Sequence, residues 1–123
     1  IGYDDDILII NFWATWCAPC KKEMPSLNSL SQNMKYEDIQ IITIASGRNS
    51  KEAIDAFFND NNLNSLKKYR DPRGRIAIKY GVTALPTTVV INSKGIEIGR
   101  IIGDIDWDTA DVRSFFKKLL ETK

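Results

Sequence analysis

The sequence contains no histidine, and its 123 residues include only two cysteines. Without histidine, a Ser-His-Asp triad, a Cys-His protease and a histidine metal site are excluded, and two cysteines are too few for a four-cysteine zinc site. Seventeen basic and sixteen acidic residues leave a net charge of +1, which argues against a general nucleic-acid binder. Any chemistry must therefore come from thiols, carboxylates, lysines, tyrosines or backbone groups, and we expect no metal site.

Long apolar runs are also missing. The chain has no run of about 18 consecutive apolar residues, so the sequence predicts no membrane-spanning helix. It begins at Ile1 without a recognisable leader, and we expect it to be a processed or trimmed product. Asp4, Asp5 and Asp6 form an acidic cluster, most simply interpreted as a solvated edge before a strand. Length and composition predict one globular domain over residues 1–123.

Apolar runs rich in β-branched residues predict the strands. They lie at residues 7–12, 39–45, 87–92 and 96–102, and residues 66–69 are a further candidate for a short strand. The first two runs are apolar on both faces, which is typical of strands buried in a parallel sheet. The last two are separated by a Ser-Lys-Gly turn, which predicts an antiparallel hairpin.

Helical spacing predicts four helices, beginning after Cys17, Ser50, the turn at residues 71–74 and Asp106. Pro25 predicts a kink in the first helix, and Gly81 ends the third. Ser50 and Asp106 are the expected N-caps. The last helix has an apolar stripe made of Val112, Phe115, Phe116, Leu119 and Leu120. Core positions are also expected for Phe57, Phe58 and Tyr80. The order of elements predicts a three-layer α/β sandwich with a mixed central sheet and helices on both faces.

The reactive groups with a clear mechanism are the thiols of Cys17-Ala18-Pro19-Cys20. This motif lies between a buried strand and a helix, where free N–H groups and the helix dipole stabilise an anion. The first thiol should therefore ionise readily, attack a disulfide and be resolved by the second. Two alternatives remain: a purely structural disulfide, which would be a poor staple for so short a loop, and half of a metal site. No cofactor is required, because the two sulfurs carry both electrons.

A family resemblance extends this interpretation. The segment NFWATWCAPCKKEMP (residues 11–25) resembles the active-site segment of the thioredoxin superfamily. More narrowly, it is similar to the TlpA/ResA/DsbE (CcmG) branch of extracytoplasmic thiol–disulfide oxidoreductases. Residues 69–95 and 103–107 carry further motifs of this branch, and residues 46–68 correspond to an insertion that a plain cytosolic thioredoxin lacks. The resemblance thus implies a thioredoxin-like fold with an inserted α/β segment.

The resemblance also implies roles for residues around the motif. A cis peptide bond is implied at Leu85-Pro86, where the backbone of Leu85 would pair with the substrate chain. Trp16 is expected to lie flat on the surface as part of a docking patch. Ala18 and Pro19, between the cysteines, are the other expected substrate contacts, whereas Trp13 is expected to be a packing residue.

Glu23 lies three residues after Cys20, on about the same face of the helix. In the related branch an acid at this position tunes proton transfer at the thiols, and burial or a nearby thiolate would raise its pKa. The alternative is an exposed helix glutamate. Asn11 stands where plain thioredoxins place a buried aspartate; since an amide cannot titrate, Glu23 or a water is the better proton acceptor for Cys20.

The function implied by the resemblance is a reductase of protein disulfides outside the cytoplasm, in the periplasm or a similar compartment. The client implied is a protein disulfide such as that of apocytochrome c, and the electron donor is a membrane protein of the DsbD/CcdA type. We expect a monomer, with an N-terminal anchor left open. The alternatives are a cytosolic-type thioredoxin and a binding or chaperone module with a structural disulfide.

Overall fold

The computed structural model describes residues 6–35 and 37–122, so Asp4 and Asp5 of the acidic cluster lie outside the described residues. Within these ranges the strands are β1 Ile7–Trp13, β2 Ile39–Ser46, β3 Lys67–Asp71, β4 Thr87–Ile91 and β5 Glu97–Ile102. The helices are α1 Ala18–Asn33, α2 Lys51–Asp60, α3 Arg75–Lys79 and α4 Ala110–Thr122. The predicted order of elements is confirmed, with β3 beginning one residue later than expected.

The strands form a mixed sheet in the order β3-β2-β1-β4-β5. β1 is central, parallel to β2 and antiparallel to β4, and β3 continues the parallel side. β5 runs antiparallel to β4, which confirms the predicted hairpin. The parallel strands β1 and β2 are buried along almost their whole length, as their continuous apolar runs predict.

Alternation along β1 divides the core between the two faces of the sheet. On one face, Ile9 and Trp13 pack with residues from α1, α2 and α4. On the other face, Ile10 and Phe12 pack with Ala77 of α3. The three-layer arrangement is thus confirmed, with most of the helical mass on one side. None of the helices in the described part of the chain is long and apolar enough to cross a bilayer.

Side-chain caps fix the ends of several helices. The Ser50 hydroxyl accepts a bond from the Ala53 amide, as predicted. The buried Asp71 carboxylate accepts bonds from the backbone amides of Arg75, Ile76 and Ala77 at 2.9–3.1 Å. The sequence indicated only a turn at Asp71. The structure makes this residue the anchor that ties the start of α3 to the end of β3.

Two expectations for the last helix are wrong. Asp106 does not cap α4: its carboxylate accepts from the Asp108 amide, while the hydroxyl of Thr109 accepts from Val112. Because α4 begins at Ala110, the capping position falls on Thr109. Phe115 is not a core residue either, since its side chain is 53% exposed. Phe116 is the aromatic side chain that turns inward, and Phe115 lies at the edge of the buried stripe.

Residues 46–68, the expected insertion, run from the end of β2 through α2 into the first two residues of β3, which is an edge strand of the sheet. The fold therefore accommodates this segment without interrupting the central strands. Pro25 lies inside α1, which continues to Asn33. The kink expected at Pro25, like the assignment of residues 46–68 as an insertion, stays a prediction.

Candidate active site

Cys17 lies where the loop after β1 turns into α1. Its backbone is extended, and its sulfur accepts a bond from the Cys20 amide, so Cys17 is the N-cap residue of the helix and its side chain makes the capping bond. The Cys17 amide donates to the Ala14 carbonyl at 3.2 Å, which closes the loop ahead of it. Pro19 occupies the first turn, where its missing N–H costs nothing. The predicted placement of the motif at a strand-to-helix junction is therefore present.

The two sulfurs are joined in a disulfide, with Cα atoms 5.3 Å apart. Cys20 is fully buried, whereas Cys17 retains 6% exposure. Cys17 also lines an open groove of about 590 Å³. The other lining residues are Trp16, Ala18, Pro19, Ser46, Gly47, Ala77, Val82, Thr83, Ala84 and Leu85. Of the two cysteines, Cys17 is thus the one that a molecule in the groove could reach.

The substrate contacts implied by the resemblance surround this groove. The Leu85-Pro86 bond is cis, Leu85 is half-buried in the groove wall and Pro86 is buried. Trp16 is 67% exposed, and Ala18 and Pro19 are exposed beside it. Trp16, Ala18, Pro19 and Leu85 therefore line the groove together, whereas Pro86, the fifth residue expected to contact the substrate, is buried and does not line it.

Trp13 has the packing role expected of it. It is fully buried, with its ring 5.4 Å from Phe57 and 5.8 Å from Phe58 between centroids. Phe58 is buried as well, and Phe57 is half-buried. The two tryptophans on either side of the loop thus differ: Trp13 fixes the end of β1 in the core, and Trp16 faces solvent.

Glu23 is buried one helical turn after Cys20, with only 2% of its surface exposed, so an exposed helix glutamate is excluded. One carboxylate oxygen accepts from Asn11 at 2.9 Å, and the other accepts from the Ile105 amide at 3.1 Å and the Trp107 indole at 2.9 Å. Burial raises the pKa of the Glu23 carboxyl, the bonds from Trp107, Asn11 and Ile105 oppose that rise, and the negative charge of Asp104 adds to it.

Asn11 links Glu23 to the sheet. Its Nδ2 atom donates both to Glu23 and, at 3.0 Å, to the hydroxyl of Thr88, its neighbour across β1 and β4. Its Oδ1 atom is buried and has no hydrogen-bond partner among the described residues. We call Asn11, Glu23, Thr88 and Trp107 the acid cluster. It contains one titratable group and one unused acceptor, close together inside the core.

Sequence reasoning missed several of these partners. No sequence pattern indicates a role for Thr88 or Ile105, and Trp107 belongs to a family motif that does not reveal its contact with Glu23. Asn49, which holds the loop before Cys17 through two hydrogen bonds, was also missed. Asn49 directly precedes the Ser50 cap, which places it in a loop before a helix, but nothing in the sequence indicates which other loop its side chain contacts.

Three features together are characteristic of a thioredoxin-like fold: a mixed sheet, a Cys-x-x-Cys pair at the start of a helix and a cis-proline beside that pair. A cysteine pair in this position can undergo thiol–disulfide exchange. A family model described as thioredoxin-like matches residues 4–97, and the chain belongs to that family. This membership confirms the fold and the resemblance at the level of the family.

Individual relatives carry the names that the resemblance indicated. The chain is 32% identical over 99 residues to the thiol:disulfide interchange protein DsbE homolog of Paracoccus denitrificans, covering 80% of this chain and 52% of that protein. It is 35% identical over 97 residues to the thiol-disulfide oxidoreductase ResA of Bacillus anthracis, covering 79% and 55%. The crystal structure of StoA from Bacillus subtilis superposes with a TM-score of 0.75 at 24% identity, covering 98% of this chain and 84% of that one. The chain spans about half the length of the curated relatives it matches.

Proposed function

We propose that this domain is a thiol–disulfide oxidoreductase that reduces protein disulfides outside the cytoplasm. The observation that carries the proposal is the position of Cys17: it caps α1, is bonded to Cys20 and lines an open groove. A thiolate at a helix N-terminus is stabilised by the free amides and the dipole, which lowers the pKa of the thiol and increases the fraction ready to attack. The names of the DsbE and ResA relatives support the same chemistry.

The reaction begins from the dithiol form. The Cys17 thiolate attacks one sulfur of the client disulfide; the client S–S bond breaks, and the departing client sulfur takes up a proton. The Cys20 thiolate then attacks the Cys17 sulfur and displaces the second client thiolate, which is also protonated. Two electrons have passed to the client, and the domain is left with the Cys17–Cys20 disulfide seen in the structure. A dithiol donor must then reduce this bond to start another cycle.

We propose that Glu23 accepts the proton of the Cys20 thiol. Cys20 is completely buried, so its thiol needs a protein acceptor or a water to become a thiolate. Glu23 lies on the same face of α1 one turn away, and burial raises the pKa of its carboxyl above its ordinary value, which makes it a better proton acceptor than an exposed glutamate. Asn11 cannot take this role, because an amide does not titrate.

Client binding follows from the groove. An extended client segment would pair with the backbone of Leu85 and bring its disulfide over Cys17. Trp16, Ala18 and Pro19 offer exposed apolar surface in the same groove. A groove with so few charged lining groups suits a peptide bound through its backbone and apolar side chains.

The cellular setting is proposed from the family resemblance. The client class is a protein disulfide, with apocytochrome c during cytochrome c maturation as the specific candidate. The donor would be a membrane protein of the DsbD/CcdA type, and the compartment is the periplasm or its equivalent, with the domain acting as a monomer. No bound cofactor enters this scheme, because the cysteine pair holds both electrons.

The first prediction tests the enzyme directly. Purified domain with dithiothreitol as donor should catalyse the reduction of insulin disulfides, and Cys17→Ser should reduce the rate to that of dithiothreitol alone. Cys20→Ser is the matched control: it should also lose turnover, and after reduction and removal of dithiothreitol it should trap a mixed disulfide with insulin, visible by mass spectrometry. Full activity in Cys17→Ser would refute the assignment of the nucleophile.

A structural disulfide in a binding module is the second candidate, and the low exposure of the bonded sulfurs favours it. The same experiment separates the two. A bond that resists dithiothreitol, together with no turnover of insulin, would support the module. Reduction by dithiothreitol with a measurable potential, accompanied by turnover, would support the oxidoreductase.

A further inference from the structure

Asn49 lies in the loop between β2 and α2, at the start of the segment expected to be an insertion. Its side chain is buried to about nine-tenths and makes four hydrogen bonds. Its oxygen accepts from the backbone amide of Thr15 at 2.7 Å and from the Thr15 hydroxyl at 2.9 Å. Its nitrogen donates to the carbonyls of Ser46 at 2.9 Å and Gly47 at 3.2 Å.

These hydrogen bonds connect two segments of the chain that line the groove. Thr15 directly precedes Trp16 and Cys17, which line the groove from the loop after β1, whereas Ser46 and Gly47 line it from the end of β2. Gly47 is itself held in place, because its amide donates to the Asp71 carbonyl at the end of β3 and its φ of +80° suits only glycine well. The loop that carries the nucleophile is thus fastened to the sheet through one side chain.

The chemistry of the amide suits this position. A carboxamide has one oxygen that accepts two bonds and one nitrogen that donates two, and Asn49 uses all four capacities. An aspartate would present oxygen to the Ser46 and Gly47 carbonyls, and an apolar residue would leave the Thr15 amide without its partner. A bond network with every capacity used and little access to water holds its partners in one geometry.

We propose that Asn49 is a positioning residue that fixes the width of the client groove, and thereby determines access of protein disulfides to Cys17. This inference rests on the proposed function, since it concerns how the client reaches the nucleophile. It predicts that loss of Asn49 impairs reaction with a protein disulfide far more than reaction with a small disulfide. A small reagent needs to reach only the Cys17 sulfur, whereas a protein segment must also fit between the two segments that line the groove.

Asn28 provides a matched control. It is an equally buried asparagine, and its oxygen accepts from the Ser65 amide at 3.0 Å, so it ties the other end of the same segment to α1. It lines no part of the groove. Asn28→Ala should therefore remove a buried asparagine and a bond to the same segment without a change at the site.

The experiment measures second-order rate constants of the reduced protein with 5,5′-dithiobis(2-nitrobenzoic acid) and with insulin. For Asn49→Ala we expect a loss of about tenfold with insulin and less than about twofold with the small reagent. In steady state the loss should appear in KM rather than kcat. Thr15→Val, which removes only the hydroxyl bond, should change the same ratio by a smaller factor and covers the case in which Asn49→Ala does not fold.

Hydrogen exchange gives a readout that does not depend on activity. The Thr15 amide should exchange about tenfold faster in Asn49→Ala and stay protected in Asn28→Ala, in which the Ser65 amide is released instead. Unchanged insulin kinetics in Asn49→Ala, or equal losses in both asparagine variants, would overturn the proposal. A wild type that reacts with the small reagent but not with insulin would refute the proposed function and client positioning together. The exchange of Thr15 would still decide whether Asn49 fixes the loop.

Discussion

The two cysteines of the pair face opposite kinds of surroundings. Cys17 opens onto a groove lined mostly by apolar residues and by no charged ones, where Trp16, Ala18 and Pro19 are exposed. Cys20 is turned into the core, and one helical turn further along α1 lies Glu23, the titratable member of the buried acid cluster. The client side thus offers apolar surface that a peptide can cover. The interior side offers hydrogen bonds and a titratable carboxyl.

Under the proposed function, this contrast would separate client recognition in the groove from proton transfer in the core. Residues exposed in the groove have few partners within the protein, so replacing them should change client affinity more than stability. Glu23, in contrast, satisfies donors from β1, from the segment after β5 and from the Trp107 indole. Replacing it should change stability and proton transfer more than client contact.

The largest expected effect comes from Glu23→Ala. The variant leaves three donors in the core without an acceptor, on Asn11, Ile105 and Trp107, and it also creates a cavity. A loss on the order of 3 kcal/mol in the free energy of unfolding is expected, because unsatisfied buried donors cost about 1–3 kcal/mol each and part of that cost is relieved by water. Urea denaturation of the oxidised protein at pH 7 measures it.

Lys22→Ala, one position earlier on the exposed face of α1, is the control and should change the unfolding free energy by less than about 0.5 kcal/mol. If Glu23→Ala were as stable as Lys22→Ala, the acid cluster would not support the fold, and the contrast between the two sides of the pair would lose its energetic basis.

A second, smaller effect concerns pH. Since the pKa of Glu23 is raised in the folded protein, the folded state binds its proton more tightly than the unfolded chain does. The associated stability is fully present below the unfolded pKa of about 4.5 and is lost as the pH rises through the folded pKa. Glu23→Gln removes this dependence, so the stability of the variant relative to the wild type should increase from pH 4 to pH 8.

In the Glu23→Gln variant, neighbouring side chains can form hydrogen bonds with the new amide group. The unused Oδ1 of Asn11 can accept the new N–H once the Asn11 amide rotates, and the hydroxyl of Thr88 can then donate instead of accept. Oxidised protein is the form to compare, because its cysteines do not titrate. A stability difference that stays constant with pH would contradict the raised pKa.

In reduced protein, the same Glu23→Gln variant should shift the cysteine titration and slow exchange, measured through thiol absorbance at 240 nm and insulin turnover. An unchanged cysteine titration would remove the proposed proton role while leaving the structural one intact.

The sequence predicted the client side of the site better than the interior side. Cys17, Pro19 and the Ser50 cap depend on signals within a few residues, and a strand followed by Cys-x-x-Cys and a helix needs no distant partner. Trp107 reaches Glu23 across 84 positions, and Thr88 reaches Asn11 across 77. Such pairs depend on the sheet register and on how the chain returns after β5, neither of which is encoded locally.

The same reasoning explains the two errors at α4. The periodic stripe predicts which face is buried, but the position of Phe115 at its edge depends on how far the sheet extends beneath the helix. Aspartate is a strong N-cap, so residue type favours Asp106, yet α4 begins at Ala110 and Thr109 directly precedes it. Residue type alone does not fix where the backbone becomes helical.

The smallest effect on stability, and the sharpest test of the groove side, is expected from Trp16→Ala. Its indole is 67% exposed, so the free energy of unfolding should change by less than about 0.5 kcal/mol. Tryptophan at a binding surface supplies a large apolar contact area, so the rate constant with insulin should fall about five- to tenfold, while that with a small disulfide changes less than about twofold.

Ile78→Ala is the matched control for this variant. Ile78 is 73% exposed on α3 and does not line the groove, so its loss removes exposed apolar surface of a similar kind without touching the proposed client path. Insulin kinetics of Ile78→Ala should match the wild type. If both variants slowed the reaction equally, or neither did, recognition would not be concentrated beside Cys17. The client surface would then have to be sought on another part of the molecule.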